Sequence, residues 1–266
     1  MTESLSPLSL EQAGTILEGF YKKYHKPEFI DPDPLIFPRR YGTPADAEAA
    51  AFIASSFALG RVAQILSFLE RLFGRLGSPR DGLIMRSEAD IENDFSDLLY
   101  RFYSASDIAA FLKGLRGIYL QYGSIEDCFI GGGGSIEAGM NMVASAVNSK
   151  QISGGRNVVA SPEGGSACKR FMLFLRWVIR NDDIDLGLWE MPPSKLLIPL
   201  DTHVMKVSRF LGLTRRGCAD IRTVRDITAN LKIFDKEDPV KYDFSMSRIG
   251  IHPDLSYSEL ESEILI

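Results

Sequence analysis

Residues 196–213 read LLIPLDTHVMKVSRFLGL, and this stretch decides the fold that the sequence predicts. Asp201 follows a proline and several aliphatic residues, and it stands directly before apolar residues at helical spacing. Aspartate is a preferred N-cap residue, so the stretch predicts a helix that begins just after Asp201. A cap alone accounts for this aspartate. A catalytic role requires a partner, and Lys169 lies 32 positions upstream.

Helical periodicity continues along the rest of the chain, and no run of alternating strand-like residues accompanies it. We therefore predict an all-α fold of about ten helices, arranged as one two-lobed unit over residues 1–266 with a central cleft. The GGGGS tract at 131–135 is predicted to be a loop, because it lacks the GK[ST] ending of a phosphate-binding loop. Helical segments are predicted at 10–24, from Thr43 onward with a break at Gly60, and at 88–103, 105–122, 136–148, 166–181, 201–211, 220–233 and 239–250.

Composition is that of an ordinary globular protein, with 45% hydrophobic and 24% charged residues in a chain of 266. The sequence contains no apolar run long enough for a membrane span and no signal-peptide pattern at its start, so we expect a cytoplasmic protein. The three cysteines and three histidines show no metal-ligand spacing. We expect neither a metal site nor a disulfide framework.

Charge is distributed unevenly, although the net charge is −5. Residues 150–216 contain eleven Lys or Arg against six Asp or Glu, whereas the remainder contains 19 against 29. A basic segment on an acidic body is expected where one face meets an anion such as DNA. A chance excess on a solvated face is an equal alternative.

The helix predicted around Lys169 has an apolar face and a basic face. Ser166 is a candidate cap, which would make Lys169 about the third residue of the helix. Arg176 and Arg180 share the side of Lys169, and we expect this side to be a solvated basic stripe. A helix N-terminus and the neighbouring Arg170 both disfavour a positive charge, and so favour the neutral amine that a nucleophile requires.

The glycine turn, the lysine-bearing helix and the "LDTHV" motif together resemble the helix-hairpin-helix (HhH-GPD) DNA glycosylase superfamily, the group of endonuclease III and the 8-oxoguanine glycosylases. "KRFMLFLRW" is similar to the segment around the lysine of the bacterial and archaeal 8-oxoguanine glycosylases. "DPxxFPRRY", "RWVIRNDDIDLGLW" and "DPVKYDF" resemble an uncharacterised bacterial branch of that superfamily. The strongest match covers residues 161–213.

The resemblance implies a bifunctional glycosylase and AP lyase that excises a damaged base, with 8-oxoguanine as the first expectation. Lys169 falls at the Schiff-base lysine and Asp201 at the essential aspartate. Three departures stand out: the hairpin at 161–170 is not an LPGVGxKTA sequence, the connection from Lys169 to Asp201 is longer than in endonuclease III, and the four-cysteine run of an iron–sulfur cluster is absent. We therefore expect no cofactor.

The expected partner is damaged double-stranded DNA, bound by a monomer. Trp177, Tyr242 and Phe244 are weaker candidates for a base pocket; a core position is an alternative for Trp177, and Tyr242, Asp243 and Phe244 are expected to close the cleft by analogy only. For His203, a purely structural role is an alternative to contact with DNA. A DNA-binding module without turnover and a helical interaction protein remain alternatives for the whole chain. The candidate DNA-binding residues are Gly164, Gly165, Ser166, Arg170, His203, Lys206 and Arg209.

Overall fold

The structure is a computed structural model, and it describes residues 8–251, with side chains as far as Arg248. Helices dominate this range, and it contains no β-strand, so the predicted all-α fold is confirmed. Five short 3₁₀ helices connect longer elements. The α-helices are α1 (Leu10–Tyr24), α2 (Pro44–Ser56), α3 (Val62–Leu76), α4 (Pro79–Met85), α5 (Glu88–Asp94), α6 (Ala105–Tyr122), α7 (Ile125–Gly131), α8 (Ile136–Asn148), α9 (Lys169–Ile179), α10 (Thr202–Phe210), α11 (Ile221–Leu231) and α12 (Asp243–Ile251).

Helix starts follow the capping residues of the sequence. Thr43 caps α2, with proline at its first position, and Ser104 caps α6 by accepting a hydrogen bond from the Asp107 amide. The predicted break at Gly60 is confirmed, because α2 and α3 are separate helices. The prediction of one helix over 88–103 is wrong after Asp94, where the chain enters a turn with Arg101 at φ 56°. Two short helices, α4 and α7, were not predicted.

Apolar residues from α1 to α12 form one continuous core. Its centre is aromatic: the ring of Phe52 on α2 lies 5.0 Å from that of Phe174 and 5.7 Å from that of Phe171, both on α9. This contact fixes α9 against α2 and so fixes the direction in which α9 begins.

A buried carboxylate, Glu48 of α2, fixes a second helix. Its oxygens accept hydrogen bonds from the backbone amides of Ile125 and Glu126 at the start of α7, from the Trp189 indole and from the Tyr119 hydroxyl. Burial raises the pKa of Glu48. Four donors on one side chain with 5% exposure make this carboxylate a structural junction.

Within residues 8–251, none of the helices combines the length and the apolarity needed to cross a bilayer.

Candidate functional site

A cavity of about 1000 Å³ lies between the beginning of α9, the beginning of α10 and one side of α12. The connection between α2 and α3 forms another part of its wall, as does the loop that precedes α9. Lys169 and Asp201 both line it. The volume is in the range of small-molecule sites, large enough for a nucleobase with its sugar.

The chain reaches Lys169 through an unusual backbone turn. Cys168 is the N-cap of α9, in the left-handed region with φ 46°, and its side chain does not cap the helix. Ser166 is therefore not the cap that we predicted: its hydroxyl accepts a hydrogen bond from the Cys168 amide, two residues on. Lys169 is the first residue of α9 rather than the third, and it lies even closer to the positive end of the helix than expected.

Asp201 uses its two carboxylate oxygens differently. Oδ1 accepts a hydrogen bond of 2.7 Å from the Val204 amide and caps α10, as predicted. Oδ2 lies 3.7 Å from Nζ of Lys169. The Asp201 side chain is 12% exposed and that of Lys169 is 35% exposed, so the pair lies at the cavity wall with access to solvent. Two residues 32 positions apart in the chain thus meet at the starts of two helices.

Behind this pair lies a buried network of charges instead of the solvated basic stripe that we predicted. The Arg176 and Arg180 side chains are each 4% exposed, and both donate to Asp185. Arg176 also donates to Asp243, and Arg180 to Asp182 and Asp238. The prediction is wrong because periodicity alone does not reveal that the loop after α9 folds back and supplies acidic partners. The charges of these two arginines are paired with carboxylates inside the protein, so they do not form an exposed basic surface.

Asp243 is the one carboxyl group of this network that also lines the cavity. It is 2% exposed, and Arg176 NH1 donates to its Oδ2 at 2.5 Å. Burial raises the pKa of Asp243 to about 6, with the nearby Asp201 charge acting in the same direction and Arg176 opposing it.

Comparison with known proteins gives one match. Residues 33–252 fit the family described as Protein of unknown function (DUF2400), and this range covers most of the chain. The chain belongs to the DUF2400 family. No curated protein and no solved structure matches it. Every residue that lines the cavity, from Asp33 to Arg248, lies inside the range matched to DUF2400.

The candidate DNA-binding residues occupy three different places. Ser166, Arg170 and His203 line the cavity. Gly164 and Gly165 form the exposed turn that leads to it; Gly165 has φ 75°, and its carbonyl accepts a hydrogen bond from the Ile221 amide.

The cationic candidates lie on two different helices, α9 and α10. Arg170 donates to the Ser56 carbonyl and, at 3.2 Å, to the Tyr103 hydroxyl, so its guanidinium anchors α9 to the chain after α2. Lys206 and Arg209 are exposed on one side of α10. The first turn of the same helix lines the cavity through Thr202, His203 and Met205.

The predicted base-pocket residues are corrected by their burial. Trp177 is 0% exposed, Tyr242 0% and Phe244 1%, and none of them lines the cavity. Trp177 lies on the core side of α9, and the Tyr242 hydroxyl donates to Glu18 of α1. None of the three rings is therefore exposed to the cavity in this arrangement, and Asp243, the residue between Tyr242 and Phe244, lines the cavity instead.

Sequence reasoning missed a second ion pair in the wall. Asp33 and Arg248 are paired, both line the cavity, and the Arg248 side chain is 2% exposed. Arg248 also donates to the Phe29 carbonyl. The only available signal was Asp33 in the DPxxFPRRY segment, since 215 positions separate it from its partner.

Among residues 8–251, no cluster of three His, Cys, Asp or Glu side chains has a geometry suited to a metal ion.

Proposed function

We propose that this protein is a bifunctional DNA glycosylase and AP lyase that removes a damaged base through a Schiff base on Lys169. The observation that carries the proposal is the distance of 3.7 Å between Lys169 Nζ and Asp201 Oδ2 at the wall of a cavity of nucleoside size. An amine nucleophile needs an adjacent group that accepts its proton, and Asp201 is placed to do so. The likeness of residues 161–213 to HhH-GPD glycosylases points to the same pair.

A base within a duplex must first be rotated out of the stack into a pocket. The Lys169 amine then forms a bond to the sugar C1′ while the bond from C1′ to the base breaks, and the electron pair of that bond leaves with the base. Asp201 accepts the proton that the amine nitrogen loses and passes it to the ring oxygen O4′ as the bond from O4′ to C1′ breaks, which leaves an imine between Lys169 and C1′ and returns Asp201 to the carboxylate. Water then takes a proton from C2′, the bond to the 3′ phosphate oxygen breaks, and the strand is nicked. The Asp201 carboxylate stabilises the positive charge that develops on the sugar.

The basic side of α10 supports a DNA substrate. Lys206 and Arg209 are exposed on the helix whose first turn lines the cavity, and we expect them to contact phosphates, which is the sequence-independent part of DNA recognition. The proposal includes damaged double-stranded DNA as the partner, 8-oxoguanine as the first lesion to test, a protein that acts as a monomer, and a cytoplasmic location.

Borohydride trapping tests the proposal. The protein is mixed with duplexes that contain an abasic site or a panel of lesions, beginning with 8-oxoguanine, and imines are reduced to stable adducts. We expect a covalent adduct with the wild type and none with Lys169→Gln. Lys195→Gln is the matched control, because Lys195 is an exposed lysine of the same segment that does not line the cavity. An adduct that persists in Lys169→Gln would move the nucleophile to another amine. DNA binding without any adduct would leave a DNA-binding module.

A further inference from the structure

One carboxyl group in the cavity wall, that of Asp243, has no role in the mechanism proposed for Lys169. Asp243 stands at the first position of α12 and lines the same cavity as Lys169 and Asp201. It comes from the far end of the chain, whereas the other two come from the lysine-bearing segment. The question is what a second carboxyl group does beside a lysine that already has one.

Asp243 is held in one orientation. Arg176 NH1 donates to its Oδ2 at 2.5 Å, and Arg176 Nε donates to Asp185 at 3.2 Å, so the guanidinium is fixed between two carboxyl groups. Arg176 thus engages Oδ2 of Asp243, and Asp243 lines the cavity, so a ligand bound in the cavity can reach this carboxyl group.

Burial favours a proton on Asp243, whereas the charges around it act in both directions: the Arg176 cation opposes the proton and two carboxylates favour it. Asp201 faces it from the start of α10 and Asp185 from the loop after α9, while Arg176 is the cation in contact. Burial raises the pKa of Asp243 to about 6, and the two carboxylates act in the same direction.

The other charged groups near α12 have partners of their own. Glu18 of α1 interacts with Lys241 and Tyr242, and Arg248 on α12 itself pairs with Asp33. Lys169 faces Asp201. The raised pKa of Asp243 allows this carboxyl group to carry a proton near neutral pH and to give it up during a reaction.

We propose that Asp243 donates a proton to the base as the base leaves, and that Arg176 is the positioning residue that holds Asp243 for this step. The proposal rests on the proposed glycosylase function. As the bond between C1′ and the base nitrogen breaks, its electron pair goes to the base, and the proton of the Asp243 carboxyl group is transferred to the base. Asp243 is left as a carboxylate beside Arg176 and regains its proton from water in the cavity.

The division of labour between the two carboxyl groups follows from their surroundings. The Asp201 side chain is 12% exposed and lies 3.7 Å from the lysine amine. Asp243 is 2% exposed, and its burial favours the neutral form. Two carboxyl groups in such different surroundings can take different roles in one reaction.

The experiment separates base release from the later steps. Wild type, Asp243→Asn and Glu48→Gln are compared in single-turnover reactions on two duplexes, one with the lesion that the wild type releases and one with a preformed abasic site. A preformed abasic site has no base to protonate. We expect Asp243→Asn to slow base release by about 100-fold or more, the usual contribution of a general acid, and to slow borohydride trapping on the abasic site far less.

A pH profile gives a second readout that a packing role would not move. With Asp243 as the acid, the wild-type rate of base release falls by about tenfold per pH unit above the pKa of Asp243, and Asp243→Asn loses this alkaline limb. Glu48→Gln removes another buried carboxyl group, one that does not line the cavity and whose hydrogen bonds go to α7, Trp189 and Tyr119. We expect this control to retain the limb.

Several outcomes would overturn the inference. The first is base release by Asp243→Asn close to the wild-type rate. The second is equal slowing on both duplexes in Asp243→Asn, and the third is the same selective defect in Glu48→Gln. A wild type that traps abasic sites but releases no base from any lesion would also overturn it, because no leaving base would need a proton. Failure of the proposed function is a different result, namely a wild type that forms no adduct on the abasic duplex.

Discussion

Replacement of Asp201 separates its two structural roles. In Asp201→Asn, the amide oxygen can keep the Oδ1 position and the 2.7 Å hydrogen bond from Val204, while the NH₂ group takes the place of Oδ2 near Lys169. Asparagine caps helices about as well as aspartate. The remaining loss is the ion pair with a lysine that is 35% exposed, and such exposed pairs contribute about 0–1 kcal/mol. We therefore expect Asp201→Asn to fold with a free energy of unfolding close to that of the wild type.

Asp201→Ala removes the cap as well, which costs about 1 kcal/mol in addition and lowers the Tm by a further 2–4 °C or so. Activity should follow a different order. Both variants lose the negative charge that faces the sugar, and removal of one such preorganised group typically costs about 100- to 1000-fold in rate. Stability thus distinguishes the two variants, and activity does not.

Thermal melting and single-turnover base release on both variants measure these two quantities. An Asp201→Asn protein that melts like the wild type and also releases base at the wild-type rate would refute a catalytic role and leave Asp201 as a helix cap. If Asp201→Asn is as unstable as Asp201→Ala, the helix cap made by Oδ1 and the contact of Oδ2 with Lys169 do not act separately.

Two further predictions concern the surface and the core. DNA affinity should fall steeply with salt, and Lys206→Gln or Arg209→Gln should each weaken binding to all sequences alike and reduce the salt slope by about 1. Lys22→Gln on α1 is the control and should leave the slope unchanged. Titrations of DNA affinity against salt measure these slopes, and a larger effect of Lys22→Gln would place the DNA-binding face elsewhere. Glu48→Gln should lower the free energy of unfolding, measured in urea, by about 2–3 kcal/mol, because the new NH₂ group would face two of the four donors that now bind the carboxylate. Glu70→Gln, which removes an exposed pair with Arg40, should cost at most about 1 kcal/mol. Equal losses in the two variants would contradict a structural role of Glu48.

The sequence predicted the elements of the fold well where local signals were strong. Thr43 with Pro44, and Asp201 before an apolar periodic run, are signals that act within one turn of helix, and the helices begin where they indicate. Residues 95–103 failed this rule, because the turn at Tyr100–Tyr103 depends on contacts with residues far along the chain, such as the hydrogen bond from the Tyr100 hydroxyl to the Leu59 carbonyl.

The sequence predicted Lys169 and Asp201, the two central residues of the candidate site, but it did not predict which other residues form the cavity wall. Lys169 and Asp201 each belong to a recognisable local pattern, and the structure brings them together. Arg176 was assigned to the surface because helical periodicity places it opposite the apolar face, but its partner Asp243 lies 67 positions away and covers it. Tyr242 and Phe244 were chosen over Asp243 for a related reason: aromatic residues suggest stacking, but which side of α12 faces the cavity is decided by packing on α1 and α10.

The order in which the chain is made has a consequence for the cavity wall. Asp33 enters it early, Lys169 and Asp201 midway, and Asp243 and Arg248 only near the end. While a ribosome is still adding residues beyond Asp201, Arg176 lacks one of its two carboxylate partners, and a cation half-paired in an apolar surrounding is unfavourable. We therefore expect α9 to pack stably against the rest of the protein only after α12 has left the ribosome. A nascent chain would then contain Lys169 before the wall of its cavity is complete.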